Sequence, residues 1–509
     1  MKIQNSFLLF CALASFSAQS QNSIPVVSIN PSEIISNEFI GNGIEFSAYP
    51  HADTESSEWG KLMTDEKWKM VFDRVSFIKP KIARVMDQAN WRYLKGFDAS
   101  GNPIVDFESD QMQALYKLLD YCEKNKITVI LGEWGQPYKV HDTHLNLQNS
   151  FTGANDQRWI DLIIKNLNHL LNVKKYTCIK YYNLVNEPNG DWATIDGDFE
   201  QWKEGITMLH KSIQKAGLDK KISIIGPDAT SFNNPRSKYK GLDWVKQTAL
   251  QIPNLISAYD AHDYPSKESI LSGEFQKTFG DLVRFTDSVH KKPFILGELG
   301  IKGDPSSKEH LGDKFTSVDS QLSVYDYDYG VDMADALIQA MNAGFDAVIA
   351  WDLDDAMHTK DDKGDKYQLK RWGMFNSLGK ELTDKKEDEN LRPWFYTWSI
   401  MTRYFTSDMK IVKLDHLNIE KVRAAAGFTA SGEATIAIAN NSDKEVNFTI
   451  DAKKLKLKSK LNKYLYTESK RPVDQNGFPI PSEKMSLKEN SIKVSIPAKS
   501  VILYTTYQQ

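Results

Sequence analysis

The sequence predicts an α/β fold, a (β/α)8 barrel followed by a C-terminal antiparallel β-sandwich. Three observations carry this. Eight short apolar runs recur between about residue 40 and residue 405, and amphipathic segments of helical period separate them. From about residue 407 the pattern changes to strand-like alternation without helical period. Alternating units of the first kind build a parallel sheet wrapped by helices. Eight of them suit a closed barrel better than an open doubly wound sheet, and no glycine-rich phosphate loop follows the first run.

The runs are Gly43 to Ala48, Lys81 to Met86, Ile127 to Gly132, Ile179 to Val185, Ile222 to Gly226, Ala258 to His262, Pro293 to Gly297 and Ala347 to Trp351. Between them, Trp159, Ile163, Leu167 and Leu170 share one helical face. So do Trp202, Ile206, Leu209 and Ile213, with Gly217 standing where a helix stop is expected. The alternating segments Ala434 to Ala439, Val446 to Ile450, Ile492 to Ile496 and Val501 to Tyr504 read as strands of the sandwich. The division expected is 1–20 signal peptide, 21–405 barrel and 406–509 sandwich, with 21–40 able to add a strand to the sandwich. A sandwich in this position either binds carbohydrate or packs against the barrel.

Lys2, the apolar stretch Phe7 to Phe16 and the small residues around Ala18 have the order of a secretory signal, so a secreted or periplasmic protein is expected. No apolar stretch has the roughly 20 residues of a membrane span. Phe10 precedes Cys11 where a lipoprotein signal carries a small residue, so no lipid anchor is expected there. Cys122 and Cys178 are then left as two buried free thiols, with no disulfide framework or metal spacing. The 509 residues carry a formal net charge of −4 and no basic cluster interleaved with aromatics, which argues against nucleic acid as a partner.

In such a barrel the chemistry sits at the carboxyl ends of the strands. Glu187 ends the fourth run, in Asn183-Leu184-Val185-Asn186-Glu187-Pro188, and Glu298 ends the seventh, in Ile295-Leu296-Gly297-Glu298. Retaining glycoside hydrolysis needs two carboxyl groups about 5 Å apart, one protonated to assist the leaving oxygen and one ionised to attack the anomeric carbon. A neighbouring anion raises the pKa of the other acid, which helps divide the roles. Glu187 is read as acid/base and Glu298 as nucleophile, with no cofactor or metal required.

Asn186-Glu187-Pro188 and Gly297-Glu298-Leu299-Gly300 resemble the signatures of clan A retaining glycoside hydrolases. The second segment is most similar to family 5, and the flanking sandwich is similar to families 30 and 39. The resemblance implies that Asn186 bonds the sugar 2-hydroxyl and that Arg84 holds the nucleophile ionised. It also implies that Tyr264 gives a hydroxyl to the nucleophile and that Trp351 floors the sugar site, an aromatic face matching the C–H face of a pyranose. Arg84 on a strand equally forms an outer ion pair, and His262 is either a substrate contact or a satisfied core imidazole.

Glu45, Glu133 and Trp134 end the first and third runs and are candidates for lining the pocket, with Glu133 the competing carboxylate in Gly132-Glu133-Trp134-Gly135. Asp352, Asp354 and Asp355 lack the histidine or carboxylate cluster of a metal site and read as a rim that bonds sugar hydroxyls or is solvated. The loop Val324 to Tyr329 mixes aromatic and acidic residues as a sugar subsite does, or as surface packing does. The expected substrate is a β-linked oligosaccharide or polysaccharide; oligomeric state is not legible. The alternative is a non-catalytic carbohydrate-binding protein on a lapsed barrel.

Overall fold

In the computed structural model eight parallel strands close into a barrel, and each of the eight apolar runs supplies one of them. In chain order they are Gly43–Glu45, Ile82–Asp87, Thr128–Glu133, Ile179–Asn183, Ser223–Thr230, Ala258–Asp263, Phe294–Leu299 and Ala347–Ala350. The structure describes residues 24–47, 62–134, 151–305, 313–358, 368–415, 417–455, 457–487 and 489–508. The expected signal peptide, with Cys11, lies outside them, as does Ala48. An outer helix follows each strand: Asp65–Ile78, Asp110–Asn125, Gln157–Asn168, Phe199–Lys215, Asp243–Gln251, Glu274–His290, Tyr327–Ala343 and Pro393–Tyr404.

Local chemistry sets several of these helix starts. Thr64, Ser109, Asp156 and Asp198 each accept a hydrogen bond from a backbone N–H of the first turn, which satisfies donors the helix leaves orphaned. The expected apolar faces are buried, Trp159, Ile163 and Leu167 on one helix and Trp202, Ile206, Leu209 and Ile213 on the next. Gly217, at φ 66°, follows the second in a left-handed conformation that glycine adopts without strain. Cys122 and Cys178 are free and buried.

Strand alternation decides what enters the barrel. Ile82, Ile130, Ile225, Ala258, Ile295, Ala347 and Ile349 pack as one cluster inside it, while their neighbours Ala83, Val129, Ile224, Tyr259, Leu296 and Val348 join the core outside, beneath the helices. Two to four residues farther along, the same inward faces carry Arg84, Asp260 and His262 in place of hydrocarbon. The interior is therefore apolar at its base and charged at its carboxyl end.

The second unit is a nine-stranded sheet in which every neighbour is antiparallel except one pair. Its order is Glu483–Ser486, Lys460–Tyr466, Ser500–Thr505, Ala434–Asn440, Val422–Phe428, Lys410–Asp415, Val26–Ser36, Val446–Asp451, Ser491–Ile496. Val26–Ser36 runs antiparallel to Lys410–Asp415 and parallel to Val446–Asp451. The sheet packs one face around Val27, Val412, Ile436, Ile438, Phe448, Ile450, Val494 and Ile502, the packing of a sandwich. Its other face, through Ala425, Ala437, Tyr464, Tyr466 and Leu503, joins the barrel core. Arg423 pairs with Asp335 at 2.9 Å and Tyr327 stacks on Tyr466 at 4.8 Å, so the contact is polar as well as apolar.

Candidate active site

Glu187 and Glu298 meet above the charged end of the barrel. A carboxylate oxygen of each and a ring nitrogen of His262 all lie within 4.8 Å of one another. Alternation alone does not bring Glu298 there. Ile295 faces the interior, and Gly297 does too, since a Cβ on it would meet the Asp260 carboxylate at 2.5 Å. A register shift between Leu296 and Glu298 against the sixth strand then turns Glu298 inward as well. A bulge re-aims a side chain in this way. Glu187 lies past the fourth strand at φ 46°, where the backbone turns sharply.

Arg84 organises the carboxylates. It is fully buried and bonds Glu298 Oε1 through Nη1, Asp228 Oδ2 at 2.9 Å and Asn186 Oδ1 at 2.6 Å through Nη2. Burial works against its charge, but Asp228, Glu298 and Glu45 outweigh it, and the guanidinium is held more firmly protonated than usual. Tyr264 donates its hydroxyl to Glu298 Oε2, so both oxygens of Glu298 accept a bond. Burial raises the Glu298 carboxyl above its ordinary range, as does the nearby Glu187, while His262, Arg84 and the Tyr264 bond pull it back.

His262 stands beneath the pair. Its Nε2 is 2.8 Å from Asp228 Oδ1, and its Nδ1 is 3.0 Å from Glu187 Oε1 and 3.5 Å from Glu298 Oε1. Burial favours the neutral ring, but Asp228 and Glu298 overcome it and hold His262 well above the usual imidazole range. Both nitrogens then donate. With no exposed surface and both nitrogens engaged by carboxylates, His262 is placed behind the site rather than against a substrate.

Sequence reasoning missed Asp228. Burial pushes its carboxyl up, yet Arg84 and His262 more than offset this and hold it well below the usual range. It stands at φ 63° beside a register shift of the fifth strand, and Asn183 also donates to it. Asp228 lies two residues past the fifth run, in Gly226-Pro227-Asp228, as Glu187 lies two past the fourth, so applying the strand-end rule there finds it. Trp192 was missed too; its Nε1 donates to Glu187 Oε2 at 2.7 Å, five residues past the motif in a loop without periodicity.

Other candidates fall elsewhere. Glu45 is fully buried, bonded by Ser47 and 3.9 Å from Arg84, and burial pushes it to about 8. Glu133 is also buried, accepts from Tyr93 and from the Ala89 backbone N–H at 3.1 Å, and is pushed to about 8 by burial and by Asp87. Each is the last residue of its strand and has almost no exposed surface. Trp351 is almost wholly buried, stacked on His358 at 4.9 Å with the half-buried Trp134 edge-on at 5.4 Å, and forms one aromatic wall.

The three aspartates after Trp351 are buried rather than a solvated rim. Asp355 pairs with Arg392 and accepts from the Gly373 N–H at 2.8 Å, and Asp354 accepts from the N–H groups of Ala356 and Ser377. Burial and the two neighbouring aspartates raise the Asp352 carboxyl well above its ordinary range. The loop before the seventh helix is scaffold as well. Tyr325 bonds Asp388, Arg371 and Arg392, and Tyr327 faces the sheet.

Glu187–His262–Glu298 and Asp228–Asp260–His262 are each close enough to ligate an ion. Arg84 bonds a carboxylate of each group, Glu298 and Asp228, and so already supplies a cation there.

No protein-family model matches the chain, and no curated protein matches it. Solved structures do. The glycoside hydrolase family 30 subfamily 8 xylanase Xyn30A from Clostridium acetobutylicum superposes with a TM-score of 0.61 at 12% identity, over 94% of this chain and 98% of that one. The family 51 α-L-arabinofuranosidase from Thermotoga petrophila gives 0.61 at 14% identity, over 95% and 100%. The catalytic domain of the family 30 xylanase C from Talaromyces cellulolyticus gives 0.59 at 12%, over 95% and 100%. Family 30 is one of those the flanking sandwich suggests; family 51 is not. A barrel joined to a β-sandwich is therefore the architecture this chain shares with glycoside hydrolases of families 30 and 51.

Proposed function

We propose that this protein is a retaining glycoside hydrolase that cleaves O-glycosidic bonds of a β-linked oligosaccharide or polysaccharide by double displacement. The observation that carries the reading is the approach of Glu187 and Glu298 to within 4.8 Å at the carboxyl end of the barrel. Oxygens that close fit an enzyme whose second carboxylate attacks carbon directly, since inversion needs carboxyl groups about 6.5–9.5 Å apart to admit a water.

Glu298 is the nucleophile. Arg84 and Tyr264 fix both its oxygens and favour the anion as it attacks the anomeric carbon. Glu187 gives its proton to the departing oxygen and later takes one from the water that releases the glycosyl-enzyme. His262, donating to Glu187 and lying near Glu298, is placed to stabilise whichever carboxylate carries charge. Asn186, held by Arg84, keeps its Nδ2 for a sugar hydroxyl. The similar structures named as xylanases support a plant or microbial glycan as substrate, and the N-terminal sequence supports secretion or a periplasmic location.

The test is a 2-deoxy-2-fluoro glycoside trap followed by peptide mass spectrometry. Glu298 is expected to carry the sugar. Label on another residue, or turnover with no covalent adduct, overturns the assignment.

A further inference from the structure

Among the described residues, the large hydrophobic side chains left exposed include two aromatic rings, Trp192 and Phe232. These two rings touch, with centroids 5.0 Å apart and planes at 47°. The indole Nε1 of Trp192 also bonds Glu187 at 2.7 Å. Single exposed hydrophobes are ordinary, but adjoining rings fixed to a catalytic carboxylate mark a contact surface.

The rings are held in place by buried polar chemistry. The side chain of Asn189, fully buried, donates from Nδ2 to the carbonyls of Thr230 at 2.8 Å and Phe232 at 3.3 Å, and its Oδ1 accepts from the Thr230 N–H at 2.9 Å. One amide thus ties the loop after the fourth strand to the end of the fifth. The indole lies against Gly190, where a Cβ would meet ring atoms at 2.4–2.8 Å. Farther out, Asp196 accepts from Arg236 at 2.8 Å and Asn234 at 3.0 Å, joining the same two loops. Rings fixed beforehand lose little freedom when a ligand stacks on them.

Their position decides the ligand. Glu187 protonates the leaving oxygen, so a surface attached to Glu187 on the fourth and fifth strands faces the departing half of the substrate. Trp134 and Trp351 stand instead on the third and eighth strands, and Trp351 adjoins the nucleophile strand through its N–H to the Leu299 carbonyl at 3.0 Å. We infer that Trp192 and Phe232 form a stacking platform for the leaving group, so that the bond cleaved joins the glycone to a second pyranose ring of a saccharide chain. This rests on the glycosidase reading above. An aryl aglycone offers a flat face too, and the assay separates the two.

Glycosyl fluorides of xylose, glucose, galactose, mannose and arabinose first fix the glycone, because fluoride leaves without acid assistance and without a ring to stack. The matching fluoride, phenyl glycoside and β-linked disaccharide are then compared for wild type, Phe232→Ala and Trp192→Phe. Phe232→Ala is expected to lower kcat/KM on the disaccharide about tenfold relative to the fluoride, mainly through KM. Trp192→Phe, which keeps a ring but loses the N–H, is expected to keep most of the disaccharide binding and lose kcat. An unchanged disaccharide-to-fluoride ratio in Phe232→Ala overturns the platform while leaving the glycosidase reading intact. A ratio that falls for the phenyl glycoside but not the disaccharide overturns the saccharide assignment. A wild-type protein that turns over none of the fluorides overturns the glycosidase reading itself, and this inference with it.

Discussion

Nδ1 of His262 stands between the two carboxylates: it bonds Oε1 of Glu187 at 3.0 Å and lies 3.5 Å from Oε1 of Glu298. One ring therefore lies within ion-pair distance of both carboxylates.

Removing either carboxylate should stop turnover by different routes. Glu298→Ala and Glu187→Ala are each expected to lower kcat at least about 10³-fold on unactivated glycosides. Added azide separates them. With Glu298→Ala it should yield a glycosyl azide of inverted configuration, with Glu187→Ala one of retained configuration, as read by NMR. The opposite stereochemistry would exchange the two roles.

Asp228→Asn should damage both site and fold. The substitution removes the carboxylate from Arg84 at 2.9 Å and from His262 at 2.8 Å, all without exposed surface. Leaving buried charge uncompensated costs about 3–5 kcal/mol. The expected result is a melting temperature lower by several degrees and a pH profile whose basic limb moves to lower pH, because His262 loses the anion that keeps it protonated. A variant with an unmoved basic limb would show that Asp228 serves the fold alone.

Stability should fall as pH rises through neutrality. Glu45 and Glu133, ordinarily at 4.5, are each pushed to about 8 by burial. Unfolded, each releases its proton near 4.5; folded, each keeps it until about 8. The folded state binds more protons across this window, so the slope is negative, at most about 1.4 kcal/mol per pH unit for each group. Asp228 and Asp388, held low by arginines, act only below it. Melting temperature is expected to be higher at pH 5 than at pH 8, and Glu45→Gln should flatten the decline. A flat wild-type profile would contradict the buried-acid reading.

Asp355→Ala should act through the scaffold. Its carboxylate pairs with Arg392, which also bonds Tyr325 at 2.7 Å, and Tyr325 bonds Asp388 at 2.7 Å. The expected loss is about 3–5 kcal/mol in denaturant unfolding, with KM for the surviving folded protein nearly unchanged. A raised KM with no loss of stability would restore the aspartate to the sugar site.

Much of this was legible along the chain. Each apolar run became one barrel strand because in a parallel barrel every strand is covered on both faces and so reads as continuous hydrocarbon. Strand-end position pointed to Glu187 and Glu298, the resemblance to clan A added Arg84, Asn186 and Tyr264, and the structure brings all five together. The same rule gave no way to tell Glu133 or Glu45 from these, since all end apolar runs. Nor did it show that the aspartates after Trp351 turn into the scaffold, where Arg392 arrives from a distant helix.

What the sequence determined by itself was period and residue type: eight strand–helix units, a change to β alternation near residue 407, and carboxylates at strand ends. These are local properties, set by where side chains point along a helix or strand. Only the tertiary structure decided which acids face one another, which lie sealed and neutral, and that bulges at Glu298 and Asp228 turn those carboxylates inward. Distance and burial depend on closing the barrel, which brings strands four and seven together around one arginine and one histidine.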